Sequence, residues 1–209
     1  GAAIANLGCL FAGKTPVNFN YSASEGAFAS SVKQSGVDWF ITADTFMRKL
    51  QNFPWPPQRD LILMEREIPL LKGSAKRWGL AIKFLTAGFM IKKLGLDAPT
   101  GADEAVLMFT SGTTGRSKAV MLSERNFFTT VGEQVVFGDA MLDYKHTHMP
   151  ENKNDVLSNF CILPLFHLGT FICLFVWPCK GWALNLSSDL RDFYRDVRPV
   201  SYTHLRAHE

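Results

Sequence analysis

The sequence predicts an α/β fold in which layered, mostly parallel sheets are flanked by helices. Short apolar strand-like runs alternate with helix-like segments along the whole chain, and strands separated by helices pair in parallel. Hydrophobic residues make up 47% of the 209 residues, which is enough for a sizeable core. The formal net charge of +3 is too small for a nucleic-acid-binding surface, so no nucleic-acid partner is expected.

The upstream elements begin with an extended apolar run over residues 15–20. Ser22 precedes Glu25 by three residues, and this spacing predicts a capping-box start for a helix that ends at Gly36. Residues 37–42 then read as a buried strand. A short helix over residues 43–50 and a second strand over residues 61–64 follow.

Residues 69–96 form a basic helical segment. No acidic residue occurs in 69–96, and the cationic side chains are those of Lys72, Lys76, Arg77, Lys83, Lys92 and Lys93. Helical spacing places Lys72, Lys76 and Lys83 on one face. The first interpretation is a surface helix docked on the sheet. The alternative is a basic amphipathic helix that lies on an anionic membrane surface.

The second half of the chain continues the alternation. The predicted elements are a loop at 97–103, strands at 105–109 and 119–122, a helix from Ser123 to about Val136, an irregular polar stretch at 145–154, a strand at 156–163, a helix at 167–177, a strand at 182–186 and a helix capped near Ser187 or Ser188. Residues 159–179 are apolar enough to imitate a membrane span, but two prolines, His167 and Gly169 interrupt them. A buried strand, a turn and a buried helix explain that stretch better.

The cysteines and histidines indicate neither a disulfide framework nor a metal site. Cys9, Cys161, Cys173 and Cys179 form no CxxC pair and lie in apolar runs. We therefore expect buried, reduced thiols and a reducing, cytoplasmic compartment. His146 and His148 supply only two ligands in a polar stretch, which is too few for a zinc site.

The residues with the clearest chemistry are 110–118, which read TSGTTGRSK. Gly112 and Gly115 let the backbone approach anionic oxygens closely. Lys118 adds a positive charge, as phosphate-binding loops commonly do. The hydroxyl donors of the loop are those of Thr110, Ser111, Thr113 and Thr114.

The spacing of this loop argues against the P-loop of nucleotide triphosphatases. That motif requires glycine, four residues and then Gly-Lys-Ser/Thr at the start of a helix. Here Gly115 follows Gly112 by three residues, and the apolar residues 119–122 follow Lys118. The loop is therefore predicted to join two strands as a mobile lid. A ligand-free β-turn rich in serine and threonine is the remaining structural alternative.

The run from Leu107 to Lys118 resembles the signature of the AMP-binding, adenylate-forming superfamily, with Ser117 where proline is commonest. Residues 12–42 resemble the strand–helix–strand upstream of that signature in the family. Residues 163–171, LPLFHLGTF, resemble its next conserved stretch. The resemblance covers most of residues 12–199 and implies an incomplete adenylate-forming large domain.

The resemblance implies ATP-dependent activation of a carboxylic acid to an acyl-adenylate, followed by transfer to a thiol such as CoA or acyl carrier protein. It implies that residues 110–118 hold the ATP phosphates with Mg²⁺ bridging them, and that His167 lies near the carboxylate end of the acyl pocket. From the residues alone, His167 reads more readily as a core histidine. The nearest types are acyl–acyl carrier protein synthetases and, second, medium- or long-chain acyl-CoA synthetases, so a fatty acid is expected.

Family members are far longer, and their ribose-binding aspartate and catalytic lysine lie downstream of the stretches matched here. We therefore expect residues 1–199 to be an interior part of the large domain that does not catalyse adenylation alone. Residues 200–209 read as a non-native tail. A non-catalytic nucleotide- or acyl-binding module is the alternative function, and contact with the inner face of a membrane is expected through 69–96.

Overall fold

The computed structural model describes residues 1–95, 104–110, 117–148 and 158–186. The chain divides into two compact units, Gly1–Arg125 and Asn126–Glu209. The described strands form three two-stranded sheets, of which two are parallel and one is antiparallel. This confirms the predicted α/β class with mostly parallel pairing. The predicted elements at 97–103 and from Ser187 onward lie outside the described residues.

The first unit contains five helices and four strands within its described residues. They are α1 (Ala2–Phe11), α2 (Glu25–Ser35), β1 (Phe40–Thr42), α3 (Asp44–Lys49), β2 (Leu61–Leu63), α4 (Met64–Ile82), α5 (Ala87–Lys93), β3 (Glu104–Thr110) and β4 (Lys118–Ser123). A short 3₁₀ turn at Gln58–Asp60 precedes β2. The order confirms the alternation that the sequence predicts.

Helix α2 ends as predicted but begins with a different cap. Gly36 adopts a left-handed conformation with φ of 62°, the geometry that favours glycine after a helix. At the other end the side chain of Ser24, not Ser22, accepts a hydrogen bond from the backbone of Ala27 at 3.3 Å. The prediction of Ser22 as the cap is wrong because its hydroxyl donates to Asn20 Oδ1 at 2.6 Å instead.

The β1–β2 pair is parallel, with Phe40 opposite Leu61. The predicted buried strand at 37–42 is only partly confirmed, because β1 is three residues long and Trp39 and Ile41 are exposed. Glu65, in the first turn of α4, accepts hydrogen bonds from the backbone N–H groups of Asp44 at 3.0 Å and Thr45 at 3.4 Å. The bond from Asp44 holds the pKa of the Glu65 carboxyl below its ordinary value.

Helices α4 and α5 lie on the surface of the first unit. None of their residues is buried, which agrees with the predicted surface position; the docking of this segment on the sheet stays a prediction. The segment also contains two helices, because Thr86 caps α5 by accepting from the backbone N–H of Phe89. Most of the large apolar side chains of both helices are therefore exposed in the described part of the chain.

The second unit contains helix α6 (Glu124–His148, whose first two residues precede the boundary), β5 (Ser158–Cys161), α7 (Leu168–Cys179) and β6 (Ala183–Leu186). Strands β5 and β6 pair in parallel, with Ser158 opposite Ala183. Its core is aromatic: the ring of Phe171 lies 5.6 Å from that of Phe127 and 5.5 Å from that of Phe175. Phe171 is completely buried.

Two predictions for this unit need correction: the helix end near Val136 and the irregular stretch that begins at residue 145. Helix α6 continues to His148, so residues 145–148 are helical and not part of an irregular stretch; residues 149–154 lie outside the described part. His146, Thr147 and His148 are not buried, so the helix continues here without packing against the core. Residues 159–179 form a strand, a turn and a helix, as predicted. Among the described residues, no helix combines the length and the apolar character that crossing a membrane requires.

Candidate functional site

Strands β3 and β4 form the antiparallel hairpin whose loop carries the glycine-rich residues. Thr110 and Lys118 are opposite one another in the register, and Thr110 Oγ1 donates to the carbonyl oxygen of Lys118 at 3.4 Å. This confirms that the loop joins two strands and does not open into a helix, which excludes the P-loop arrangement. Residues Ser111, Gly112, Thr113, Thr114 and Gly115 lie outside the described residues.

Strand β3 changes from buried to exposed as it reaches the loop. Residues Ala105, Val106, Leu107 and Met108 of β3 are buried, whereas Thr110 and Lys118 are exposed. The buried strand β3 therefore ends at the exposed Thr110, and the exposed Lys118 opposite it begins β4, none of whose residues is buried. The Thr110 hydroxyl closes the hairpin on the carbonyl oxygen of Lys118, and the Lys118 side chain is exposed.

The upstream segment holds β3 from its other edge. Val17 forms a parallel bridge with Leu107, and the backbone N–H of Leu107 donates to Pro16 O at 3.4 Å. Thr15 Oγ1 donates to Glu104 O at 3.1 Å. These contacts give the predicted extended run at 15–20 a definite role: it fixes the strand that leads into the loop.

Aromatic packing adds to this support. The ring of Phe19 stacks on that of Phe109, with centroids 6.0 Å apart, and also contacts Phe28 of α2 at 5.3 Å. Offset and edge-on ring pairs of this kind contribute about 0.5–1.5 kcal/mol each beyond the area they bury. The residue that immediately precedes Thr110 is therefore tied to the core of the first unit.

Helix α2 contacts the outgoing side of the loop. Gln34 Nε2 donates to the carbonyl oxygen of Ser117 at 3.1 Å and also to Ser30 Oγ at 3.1 Å. Sequence reasoning missed this pair because nothing in the residues around Gln34 marks it as a loop contact. The two partners are 83 residues apart, and only the tertiary fold brings them together.

His167 stands at the N-cap position of α7, in the second unit. Its backbone N–H donates to Pro164 O at 3.0 Å, and its carbonyl oxygen accepts from the backbone N–H of Phe171 at 3.0 Å. The imidazole is exposed and lies 4.7 Å from the ring of Phe166. Reading His167 as a core histidine is therefore wrong.

The described residues contain no group of three or more histidine, cysteine, aspartate or glutamate side chains that could hold a metal ion. His146 and His148 lie on the last turn of α6, where the ring of His148 stacks on that of Tyr144 at 4.0 Å. A protein-held metal at these histidines thus finds no support in this part of the chain.

Asn159 of β5 contacts two thiols, those of Cys161 and Cys173. All four cysteines are free, as predicted, although Cys179 is exposed and only Cys161 is fully buried. Asn159 Nδ2 lies 3.7 Å from Cys173 Sγ and 3.9 Å from Cys161 Sγ. Because Cys173 accepts from Cys161 and then from Trp177 and Asn159, its pKa falls to about 7, and that of Cys161 rises.

This pair predicts selective alkylation. Since the thiolate is the nucleophile, Cys173 should react with iodoacetamide with a midpoint near pH 7, while Cys161 stays unmodified. Peptide mass spectrometry over a pH series measures both residues separately. The substitution Asn159→Ala should move the Cys173 midpoint upward. A Cys173 rate that rises only near the ordinary thiol pKa of about 8.5 would contradict the hydrogen-bonded arrangement.

Comparison with known proteins extends these observations. The profile of the AMP-binding enzyme family matches residues 2–207. The chain is 40% identical over 155 residues to a 4-coumarate–CoA ligase 3 of Arabidopsis thaliana, covering 74% of this chain and 24% of that protein. It is 27% identical over 190 residues to the long-chain-fatty-acid–CoA ligase ACSBG2 of Rattus norvegicus, covering 87% of this chain and 27% of that protein.

Solved structures agree on the fold. The o-succinylbenzoate CoA synthetase of Bacillus subtilis, in complex with its acyl-adenylate intermediate, superimposes with a TM-score of 0.55 at 18% identity over 95% of this chain and 43% of its own. A malonyl-CoA ligase gives a TM-score of 0.52 at 19% identity, over 90% and 32% of the two chains. The chain spans about a quarter of the length of the 4-coumarate–CoA ligase and of the long-chain-fatty-acid–CoA ligase to which it is similar. The strand-linking glycine-rich hairpin, the family profile and the shared fold lead to one conclusion: this chain belongs to the AMP-binding enzyme family.

Proposed function

We propose that the protein containing this chain is an acid–thiol ligase that activates a carboxylic acid with ATP. In the first step a carboxylate oxygen attacks the α-phosphorus of ATP, an acyl-adenylate forms and pyrophosphate leaves. In the second step a thiolate attacks the acyl carbon and AMP leaves. The observation that carries this proposal is the β3–β4 hairpin, whose exposed ends present Thr110 and Lys118 on either side of the family's signature loop.

In this proposal residues 110–118 hold the β- and γ-phosphates of ATP. Bringing a carboxylate against a polyphosphate places anions together, so cations and N–H or O–H donors must offset the repulsion. Lys118 supplies a cation and Thr110 a hydroxyl at the base of the loop. The proposed donors from Ser111, Gly112, Thr113, Thr114 and Gly115 complete the set.

Among the described residues, the implied Mg²⁺ fits best as an ion carried by the nucleotide. The described residues offer no carboxylate cluster for it, and Mg²⁺ is commonly held by substrate phosphates with few protein ligands. In that position it would neutralise charge on the phosphates. The role of the chain is then to orient the phosphates. The hydrogen bond between Gln34 and Ser117 supports this role, because it fixes one side of the loop.

His167 is proposed to lie at the carboxylate end of the acyl pocket. Its exposed ring stands at the start of α7, and the rest of that helix is apolar and largely buried. We propose a fatty acid as substrate and CoA as acceptor. The similarity to CoA ligases favours CoA over acyl carrier protein, while the 4-coumarate ligase among them makes an aromatic acid the second candidate.

The membrane enters the proposal as a peripheral contact. Residues 69–95 of the basic segment lie on the surface, which agrees with contact to the inner face of a membrane. The four free thiols support a reducing, cytoplasmic location. Changing Lys72, Lys76 and Lys83 together to glutamate tests the contact by liposome cosedimentation.

Nucleotide binding by the isolated chain tests the phosphate site. Lys118→Ala should weaken ATP binding by about tenfold to a hundredfold, since a charge-assisted contact contributes about 1.5–3 kcal/mol. Isothermal titration with ATP measures it, and Lys14→Ala, another exposed lysine, is the matched control. Equal affinity of the Lys118 and Lys14 variants would remove Lys118 from the site.

The same preparation tests whether the chain is sufficient for catalysis. The chain spans about a quarter of the length of the related 4-coumarate–CoA and long-chain-fatty-acid–CoA ligases. We therefore expect no ATP–pyrophosphate exchange with hexadecanoate or 4-coumarate. Exchange would show that residues 1–199 suffice. Absence of ATP binding by the folded wild-type chain would instead favour an acyl-binding module without nucleotide chemistry.

A further inference from the structure

Helix α4 carries a continuous apolar stripe, none of whose members is buried in the described part of the chain. Its members recur alternately four and three residues apart, which places them on one face of a helix. They are Met64, Ile68, Leu71, Ala75, Trp78 and Ile82. Leu71 and Ile82 are 59% and 57% exposed, and Trp78 is 39% exposed, so the stripe is not part of the core.

The charges around this stripe have one sign. From Ile68 to Gly95 every ionisable side chain is a lysine or an arginine, and the acidic residues of α4, Glu65 and Glu67, are confined to its first turn. Glu65 is already engaged with the start of α3. An apolar face bordered by cations fits an anionic surface with an apolar interior beneath it.

We infer that α4 lies in the plane of an anionic phospholipid bilayer with the Leu71–Trp78–Ile82 face buried among the acyl chains. This rests on the membrane contact proposed above and deepens it, because it names the inserted face and the orientation of the helix. Lysine ammonium groups remain at the headgroups, where each contributes about 1 kcal/mol, and the apolar side chains supply the remaining attraction. Helix α5, with Lys92 and Lys93 in its last turn, extends the cationic border.

The chain itself offers a matched control for insertion. Leu70 and Leu80 are on the same helix and are 76% and 61% exposed, yet they lie off the stripe. Leu71→Glu with Ile82→Glu, and Leu70→Glu with Leu80→Glu, remove two large apolar side chains and add two negative charges each. Attraction by charge alone therefore weakens equally in both pairs, whereas insertion is lost only in the first.

Cosedimentation of the whole chain with phosphatidylcholine vesicles, with and without phosphatidylserine, reads out both effects. We expect binding only with phosphatidylserine, with a partition coefficient that falls about tenfold more in the stripe variant than in the off-stripe variant. Thermal unfolding should be the same in all variants, since none of the substituted side chains is buried. The fluorescence of Trp78 is the difference between the emission spectra of the wild type and of the Trp78→Phe variant. This difference spectrum should shift to shorter wavelength on binding.

Three results would overturn the inference, and they differ from one another. Equal loss of vesicle binding in the stripe and off-stripe variants, with no shift of Trp78 emission, would leave the membrane contact in place but exclude insertion of the apolar face. The triple variant Lys72→Glu, Lys76→Glu and Lys83→Glu is compared with the control Lys14→Glu, Lys33→Glu and Lys49→Glu. Equal vesicle binding by the two triple variants and the wild type would exclude the membrane contact itself. Concentration-dependent self-association that only the stripe variant abolishes would make this face an interface between two copies.

Discussion

Replacing Phe171 by alanine should destabilise the second unit by about 3–5 kcal/mol, the usual cost of removing a fully buried aromatic ring. Phe171 is 0% exposed, and its ring contacts those of Phe127 and Phe175, which are themselves 4.8 Å apart. The three rings join α6 to α7, so the substitution leaves a cavity that neither helix can close alone. Domains of this size are commonly stable by only 5–15 kcal/mol.

The effect should reach the candidate site, because the backbone N–H of Phe171 bonds the carbonyl oxygen of His167. Hydrogen–deuterium exchange of peptides from α6 and α7 measures the loss in this unit alone. Phe137→Ala is the control: this phenylalanine, also on α6, is 60% exposed and should change stability by less than about 0.5 kcal/mol. Equal protection in the Phe171 and Phe137 variants would contradict the aromatic core.

Two glycines of α6 should respond to alanine with opposite signs. A Cβ at Gly138 would lie 2.5 Å from Trp182 Cη2 and 2.6 Å from Cζ3, whereas a Cβ at Gly132 meets nothing within 4 Å. Gly132→Ala should therefore stabilise the helix by about 0.5–1 kcal/mol, the ordinary gain over glycine in a helix. Gly138→Ala should destabilise the unit by about 1–3 kcal/mol through overpacking.

The Trp182 ring cannot move aside freely. It contacts the ring of Trp177 at 5.0 Å, and the ammonium of Lys180, which is paired with Asp139 of α6, lies 5.8 Å from its centroid. Urea unfolding measures the free energy of unfolding of the two variants. Hydrogen–deuterium exchange then measures the protection of α6 in each. Stabilisation by both substitutions would mean that the indole adapts and that Gly138 is not required by the packing.

Local signals explain which parts of the fold the sequence predicts. The strand before the loop, the strand after it and the absence of a helix at Lys118 all follow from residues 105–122 themselves, and the structure confirms them. The glycine at position 36 likewise marks the end of α2, because its left-handed backbone is costly for other residues. The role of residues 110–118 and of His167 stays a prediction.

Other features depend on competition that the sequence does not decide. Ser22 and Ser24 are equally suitable caps by type, and the nearby Asn20 determines the outcome by engaging Ser22. The exposure of His167 and of α4 depends on what packs against them, which spacing alone does not reveal. The bond between Gln34 and Ser117 is of the same kind, since its partners are distant in the chain.

The anchors of the hairpin also bear on the order in which the first unit folds. Thr15 and Glu104 are 89 residues apart, and Gln34 and Ser117 are 83 apart. Contacts of such high sequence separation form late, because the entropy of closing the intervening chain is lost before they contribute. The glycine-rich loop would therefore acquire its fixed entry and exit only in the last stage of folding, after the helices between its anchors have formed.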